Sequence, residues 1–169
     1  MIELRVLTPD DWRSWRSLRL AALADAPYAF TARLADWQGD GDREERWRDR
    51  LSIPGSYDLL ALLDGEPVGM AGGTPGEAEG EARLRSLWVG ARGRGRGVAD
   101  RLMRAVEEWA IASGAGTLRL AVLPGNARAI ALYRRHGFEE TGETGSPLPG
   151  GQHEVIMAKR LDGGRQRTG

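Results

Sequence analysis

There is no cysteine among the 169 residues of the chain. Disulfides, thiolate nucleophiles and cysteine-ligated metals are excluded together. Histidine is limited to His136 and His153, too few for a histidine-rich metal site, and no metal is expected. Lys159 is the only lysine, against a large excess of arginine. That bias is what a GC-rich, bacterial genome produces, so arginine and glycine counts prove nothing and only their positions carry weight. No stretch approaches the roughly 18 consecutive apolar residues of a membrane span. The start, MIELRVLTPDDW, lacks the basic and then apolar character of a secretory signal. Acidic and basic side chains balance at 24 each, so nothing global draws the chain to nucleic acid or a membrane surface. A soluble, cytoplasmic protein with neither partner is expected.

With 41% hydrophobic residues, the chain can bury a core and has the length of one domain. A single domain over 1–161 and a disordered tail at 162–169 are expected. Residues 2–7 alternate as a strand. Thr8 and Pro9 then open a helix reaching about residue 24. A loop covers 25–30, and a charged helix covers 42–51. Strands follow at 58–63 and 67–73, joined by the hairpin signal Asp64-Gly65, and at 82–89. A helix with apolar residues at Val98, Leu102, Ala105, Val106 and Trp109 comes next. Residues 117–122 form a strand, and Asn126 starts a helix stopped by Gly137. A final antiparallel pair closes the chain. The fold class is α/β: a mixed, mostly antiparallel sheet of six to seven strands flanked by about four helices, in two or three layers.

Between the strand at 82–89 and the next helix lies GARGRGRG. Such a junction presents free backbone N–H groups, and glycine lets a bulky anion approach them. The helix dipole and the arginines add positive charge, so the loop suits phosphate or pyrophosphate. A P-loop is ruled out because Arg96-Gly97 follow Gly95 where Lys-Ser/Thr is needed. A dinucleotide G-x-G-x-x-G fails because Val98 or Asp100 stands at the third glycine. Arg/Gln-x-x-Gly-x-Gly/Ala fits at every position of Arg94-Gly95-Arg96-Gly97-Val98-Ala99. A second block, NARAIALYRRHGFEETGE, matches Asn-x-x-Ala-x-x-Leu-Tyr-x-x-x-Gly-Phe at Asn126, Ala129, Leu132, Tyr133, Gly137 and Phe138. In these two blocks, over 82–143, the sequence resembles the GNAT acyl-CoA-dependent N-acetyltransferases.

The resemblance implies acetyl-CoA as donor and a small primary amine as acceptor, in a protein that is a possible homodimer. Acetylation of a protein amine and a non-catalytic acyl-CoA sensor are the alternatives; a nucleic-acid-binding module is opposed by the neutral charge. It implies that Leu87, Trp88 and Val89 pair with the pantetheine amides like an added strand. Arg94, Gly95, Arg96, Gly97, Val98 and Ala99 would hold the pyrophosphate, with help from alternate side chains of Arg92, Arg94 and Arg96. Tyr133 would protonate the departing thiolate or contact the cofactor. Asn126 would bond the pantetheine or act only as a helix cap. The usual strand glutamates are replaced by Arg83 and Arg85, which leaves as base Glu81, a residue of the first two helices, or ordered water. Strand alternation puts Arg83 and Arg85 on the face of Leu87 and Val89. There they would either pair with surface carboxylates or greet a carboxylate or phosphate on the acceptor. Acceptor contacts are expected from about 20–37, with Tyr28, Phe30 and Trp37 as lining or core, and from 143–153, where His153 is a further candidate base.

Overall fold

The computed structural model describes residues 1–25 and 34–161; the expected tail at 162–169, and Tyr28 and Phe30, lie outside the described residues. The seven expected runs form β1 (Ile2–Val6), β2 (Tyr57–Leu63), β3 (Glu66–Pro75), β4 (Glu81–Val89), β5 (Thr117–Val122), β6 (Glu139–Pro147) and β7 (His153–Arg160). The helices are α1 (Trp12–Asp25), α2 (Glu44–Arg50), α3 (Val98–Ala112) and α4 (Ala127–Arg135). None of the described helices is long and apolar enough to cross a membrane.

Local chemistry sets the boundaries. The Thr8 N–H donates to the Asp11 carboxylate at 2.7 Å, and Pro9 opens a single 3-10 turn leading into α1. Asp64 and Gly65 take φ of 52° and 87°, the conformation that a two-residue hairpin loop between β2 and β3 demands. The Asn126 side chain accepts from the Ala129 N–H at 3.3 Å and starts α4, which Gly137 ends at φ 94°.

The sheet runs β1-β2-β3-β4-β5-β7-β6, antiparallel except between β4 and β5. Central β2 is buried on both faces, which is why its run is continuously apolar. Leu59 and Ala61 join the core beneath α3 and α4, whereas Leu60 and Leu62 join the one beneath α1 and α2. The sheet is therefore the middle of three layers.

Two irregularities position the site. First, β4 and β5 pair only at Glu81–Thr117, Ala82–Leu118 and Arg83–Arg119. Beyond Arg83 they part: β4 keeps β3 as its partner and β5 keeps β7. Their facing edges carry unpaired backbone groups, a cost that an added strand-like ligand would remove. Second, Met70 opposes Trp88 while Gly72 opposes Arg85, so β4 holds one extra residue, and Ser86 takes φ 60°. This β-bulge reverses strand parity. Ala82, Leu84, Leu87 and Val89 all belong to the α3/α4 face, and Trp88 packs on the α1/α2 face. The expectation that Arg83 and Arg85 share the face of Leu87 and Val89 is thus incorrect: strict alternation does not survive the extra residue, and both arginines turn to the α1/α2 side.

Candidate active site

A cavity of about 440 Å³ opens where β4 leaves β5. Its strand wall is Leu87, Trp88 and Val89. Its loop wall is Arg94, Gly95, Gly97, Val98 and Ala99, and α4 contributes Asn126 and Tyr133. Of the residues expected to bind or help bind cofactor, Arg92 and Arg96 do not line it. Arg128, Leu132 and Arg135 do; their spacing of four and three places them on one helical face, a signal present in the sequence but not used.

The loop wall suits an anion. Gly95 and Gly97 have φ of 75° and 79°, conformations that L side chains resist. Nothing lies within 4 Å of where a Cβ would stand on either, so the backbone is open to a ligand. The N–H of Arg101 donates to the Gly97 carbonyl at 3.1 Å. That bond begins the α3 ladder and leaves the N–H groups of Val98, Ala99 and Asp100 without intrahelical acceptors. The arginines divide. Arg92 turns out to Glu66. Arg94 bends back, donating to the Val89 carbonyl at 3.0 Å and to Asp25 at 2.7 Å. Asp25 also accepts from Trp88 Nε1 at 3.2 Å, so the end of α1 is tied to both walls of the cavity.

A second cavity, of about 460 Å³, lies on the α1/α2 side of the gap. It shares Leu87, Asn126, Ala129 and Tyr133 with the first. Tyr133 is therefore the ring between two chambers. It is 8% exposed and meets Phe138 edge-on with centroids 5.9 Å apart. Burial pushes its hydroxyl pKa well above the ordinary tyrosine value, so it keeps its proton at neutral pH. Asn126 caps α4 and lines both cavities.

The second cavity carries Arg19 of α1, Arg50 of α2, and Arg83 and Arg85 of β4, with Glu154 of β7 as its one lining carboxylate. The Ser86 hydroxyl at the bulge accepts from Arg50 at 3.2 Å and faces Arg19 at 3.4 Å. Burial, then the charges of Arg50 and Arg85, holds Arg19 down to about 10. Arg50 is likewise lowered by burial and Arg85, against the pull of buried Asp58. Trp37 lines this cavity and packs against Trp47 with ring centroids 4.6 Å apart and planes tilted by 37°.

Glu81 is not brought to Tyr133. It stands at the paired end of β4, 3.8 Å from Arg119, in a polar recess with Glu77 and Glu143 that adjoins the second cavity through Arg83, Leu120, Ser146 and Glu154. The exposed His153 lines neither chamber. Arg19 and Arg50 went unrecognised in the sequence because single arginines on helices are ordinarily solvated. Glu154 went unrecognised because it lies one residue beyond the expected acceptor segment 143–153. Among the described residues no group of three or more acidic or histidine side chains is placed to hold a metal.

Comparison with known proteins agrees with this geometry. The family described as "Acetyltransferase (GNAT) family" matches residues 13–138. The human N-acetylaspartate synthetase is 33% identical over 112 residues, covering 66% of this chain and 36% of that protein. The chain thus spans little more than a third of that relative's length. The L-methionine sulfoximine/L-methionine sulfone acetyltransferase of Pseudomonas aeruginosa is 33% identical over 129 residues, covering 73% of this chain and 74% of that one. Among solved structures, a GNAT-family acetyltransferase from Streptococcus pneumoniae superposes with TM-score 0.77 at 20% identity, over 95% of this chain and 99% of that one. The PaiA N-acetyltransferase of Thermoplasma acidophilum, in complex with coenzyme A, gives TM-score 0.72 at 18% identity over 95% and 99%. With a cradle of free N–H groups, a splayed sheet and a family match over most of its length, the chain belongs to the GNAT acetyltransferase family.

Proposed function

We propose that this protein transfers the acetyl group of acetyl-CoA to a primary amine of a small molecule by direct attack of the amine on the thioester. The observation that carries the reading is the pair of chambers meeting at Tyr133. One is built for a pyrophosphate and an extended arm, the other for an acceptor. The relatives named for N-acetylaspartate and for methionine sulfoximine and sulfone support a small acceptor over a protein one.

The amides of Gly95–Ala99 receive the pyrophosphate, and the free edge of Leu87–Val89 receives the pantetheine amides. The donor supplies an activated acetyl group at the gap. The chain's own residues manage two protons. The acceptor arrives mostly as an ammonium and must lose a proton before its nitrogen can attack. Glu154, the carboxylate lining the acceptor chamber, takes that proton directly or through water; Glu81 is set apart from this route. As the nitrogen–carbon bond forms and the carbon–sulfur bond breaks, the Tyr133 hydroxyl protonates the departing sulfur, and the second proton that the nitrogen gives up on becoming an amide returns, through water, to the Tyr133 oxygen. A hydroxyl kept neutral by burial suits that task.

The test is thiol release from acetyl-CoA across amino acids, amino sugars, polyamines, aminoglycosides and short peptides. The absence of cysteine leaves the thiol signal free of protein background. Release with a small amine supports the reading. Acetyl-CoA binding without release from any of them would overturn it in favour of a sensor, and release with peptides alone would shift it to a protein acceptor.

A further inference from the structure

We infer that the acceptor carries a carboxylate beside its amine, that is, an amino acid or similar small zwitterion, gripped by Arg50 and Arg85 across the Ser86 bulge. The inference rests on the acceptor-chamber reading above and names the substrate class of that chamber.

Four guanidinium groups line one cavity with a single carboxylate, Glu154. Asp58 raises the pKa of Arg50 through its charge, and Arg83 also borders the acidic recess of Glu77, Glu81 and Glu143, so the positive charge turned to this cavity centres on Arg50 and Arg85. Among the described residues neither Arg83 nor Arg85 takes part in an ion pair, although thirteen ion pairs are formed elsewhere. Holding the half-buried Arg50 close to Arg19 and Arg85 costs desolvation and repulsion that an arriving counter-ion relieves. Burial lowers both Arg19 and Arg50, consistent with that unmet demand.

The bulge makes the arrangement. Without the extra residue in β4, Arg83 and Arg85 would keep the parity of Leu87 and face the opposite layer. With it, they meet Arg50 from α2, which the Ser86 hydroxyl holds in place. A guanidinium fork matches the two oxygens of a carboxylate. Phosphate is the weaker fit, because no glycine lines this chamber; the open backbone cradle suited to phosphate belongs to the other one. The chamber also holds Glu154, so both ends of a zwitterion find an opposite charge there.

The test uses the full chain saturated with coenzyme A. Binding of L-leucine, L-glutamate, L-leucinamide, 3-methylbutylamine and 2-aminoethylphosphonate is followed by calorimetry, and thiol release from acetyl-CoA is measured with the same compounds. The amino acids are expected to bind at least about tenfold more tightly than the amide or the decarboxylated amine. Arg85 is exposed on its strand, so Arg85→Gln should fold and erase that preference, while Arg85→Lys should restore part of it. Equal binding of leucine and leucinamide, or a preference unchanged in Arg85→Gln, would overturn the inference. Tightest binding of the phosphonate would replace carboxylate by phosphate and overturn it too. Thiol release with the uncharged-end amines and no carboxylate preference would sink the inference and leave the transferase reading intact. Carboxylate-dependent binding with no thiol release would do the reverse.

Discussion

At Tyr133 the environment decides which of two roles a phenol can take. Water is excluded on most sides, so the phenolate is disfavoured and the hydroxyl remains a proton donor through neutral pH. Tyr133→Phe keeps the ring packed against Phe138 and removes only the proton. Turnover should fall by about 100-fold, the lower end for general acid catalysis, with little change in the KM for acetyl-CoA; unchanged steady-state turnover would rule the acid role out. At Gly97 the opposite logic holds, because function needs the absence of a side chain. Gly97→Glu forces an L residue into φ 79°, costing about 1–2 kcal/mol, and puts a carboxylate where an anion should sit. Acetyl-CoA affinity measured by titration should collapse while circular dichroism stays native. The placing of Tyr133 at the cavity was readable from a motif. The chamber-facing position of Arg85 was not, because nothing in LRSLWV marks Ser86 as the residue that adopts positive φ.

Among the elements, α1 and α2 form the layer that covers the proposed acceptor chamber, and the carboxylate of Asp42 joins them. Asp42 accepts from Arg16 Nε of α1 at 2.7 Å and from Trp47 Nε1 of α2 at 2.8 Å. Those two hydrogen bonds, with the Arg16 one the stronger, hold its carboxyl down to about 2. An unfolded aspartate titrates near pH 4 (about 3.9). The sign follows: the contribution of Asp42 to stability is fully present above about pH 4 and is lost as pH falls through about 2. Thermal melts between pH 5 and 2 should therefore show a steeper acid loss for the natural chain than for Asp42→Asn; parallel curves would show that the bridge does not couple to folding. The α3 layer depends on a close approach instead. A Cβ on Gly73 would stand 2.4 Å from the Trp109 ring, which is itself stacked on Tyr57 with centroids 5.6 Å apart. Gly73→Ala should cost about 1–3 kcal/mol by overpacking, seen as a lowered midpoint in urea with an unchanged slope.

For the molecule as a whole, the parting of β4 from β5 is the central feature. It leaves strand edges unpaired in the middle of a sheet, and the family's ligand is the natural filler. Stability should therefore respond to the donor. At about 100 times its Kd, coenzyme A should add roughly 2.7 kcal/mol, a rise in melting temperature of about 5–10 °C for a chain of this size. Scanning calorimetry with and without the ligand measures this directly, and no shift at saturating concentration would mean that the gap is not where it binds.

The sequence by itself determined which segments became strands and helices, and where they end. Those choices depend on short-range chemistry: alternation in β5, the Asp64-Gly65 turn, the Asn126 cap, the positive-φ glycines before α3. It also located the anion cradle, since a run of glycine and arginine at a strand–helix junction is local. Only the tertiary structure decided the acceptor side. That Arg19 and Arg50 from two helices line one cavity with Arg83 and Arg85 from a strand, that Glu154 rather than Glu81 lines the cavity that Tyr133 lines, and that one bulge turns two arginines to another layer are long-range outcomes. They arise from packing three layers around a sheet that splits after three residue pairs. A split of that kind leaves no mark on the local pattern of either strand.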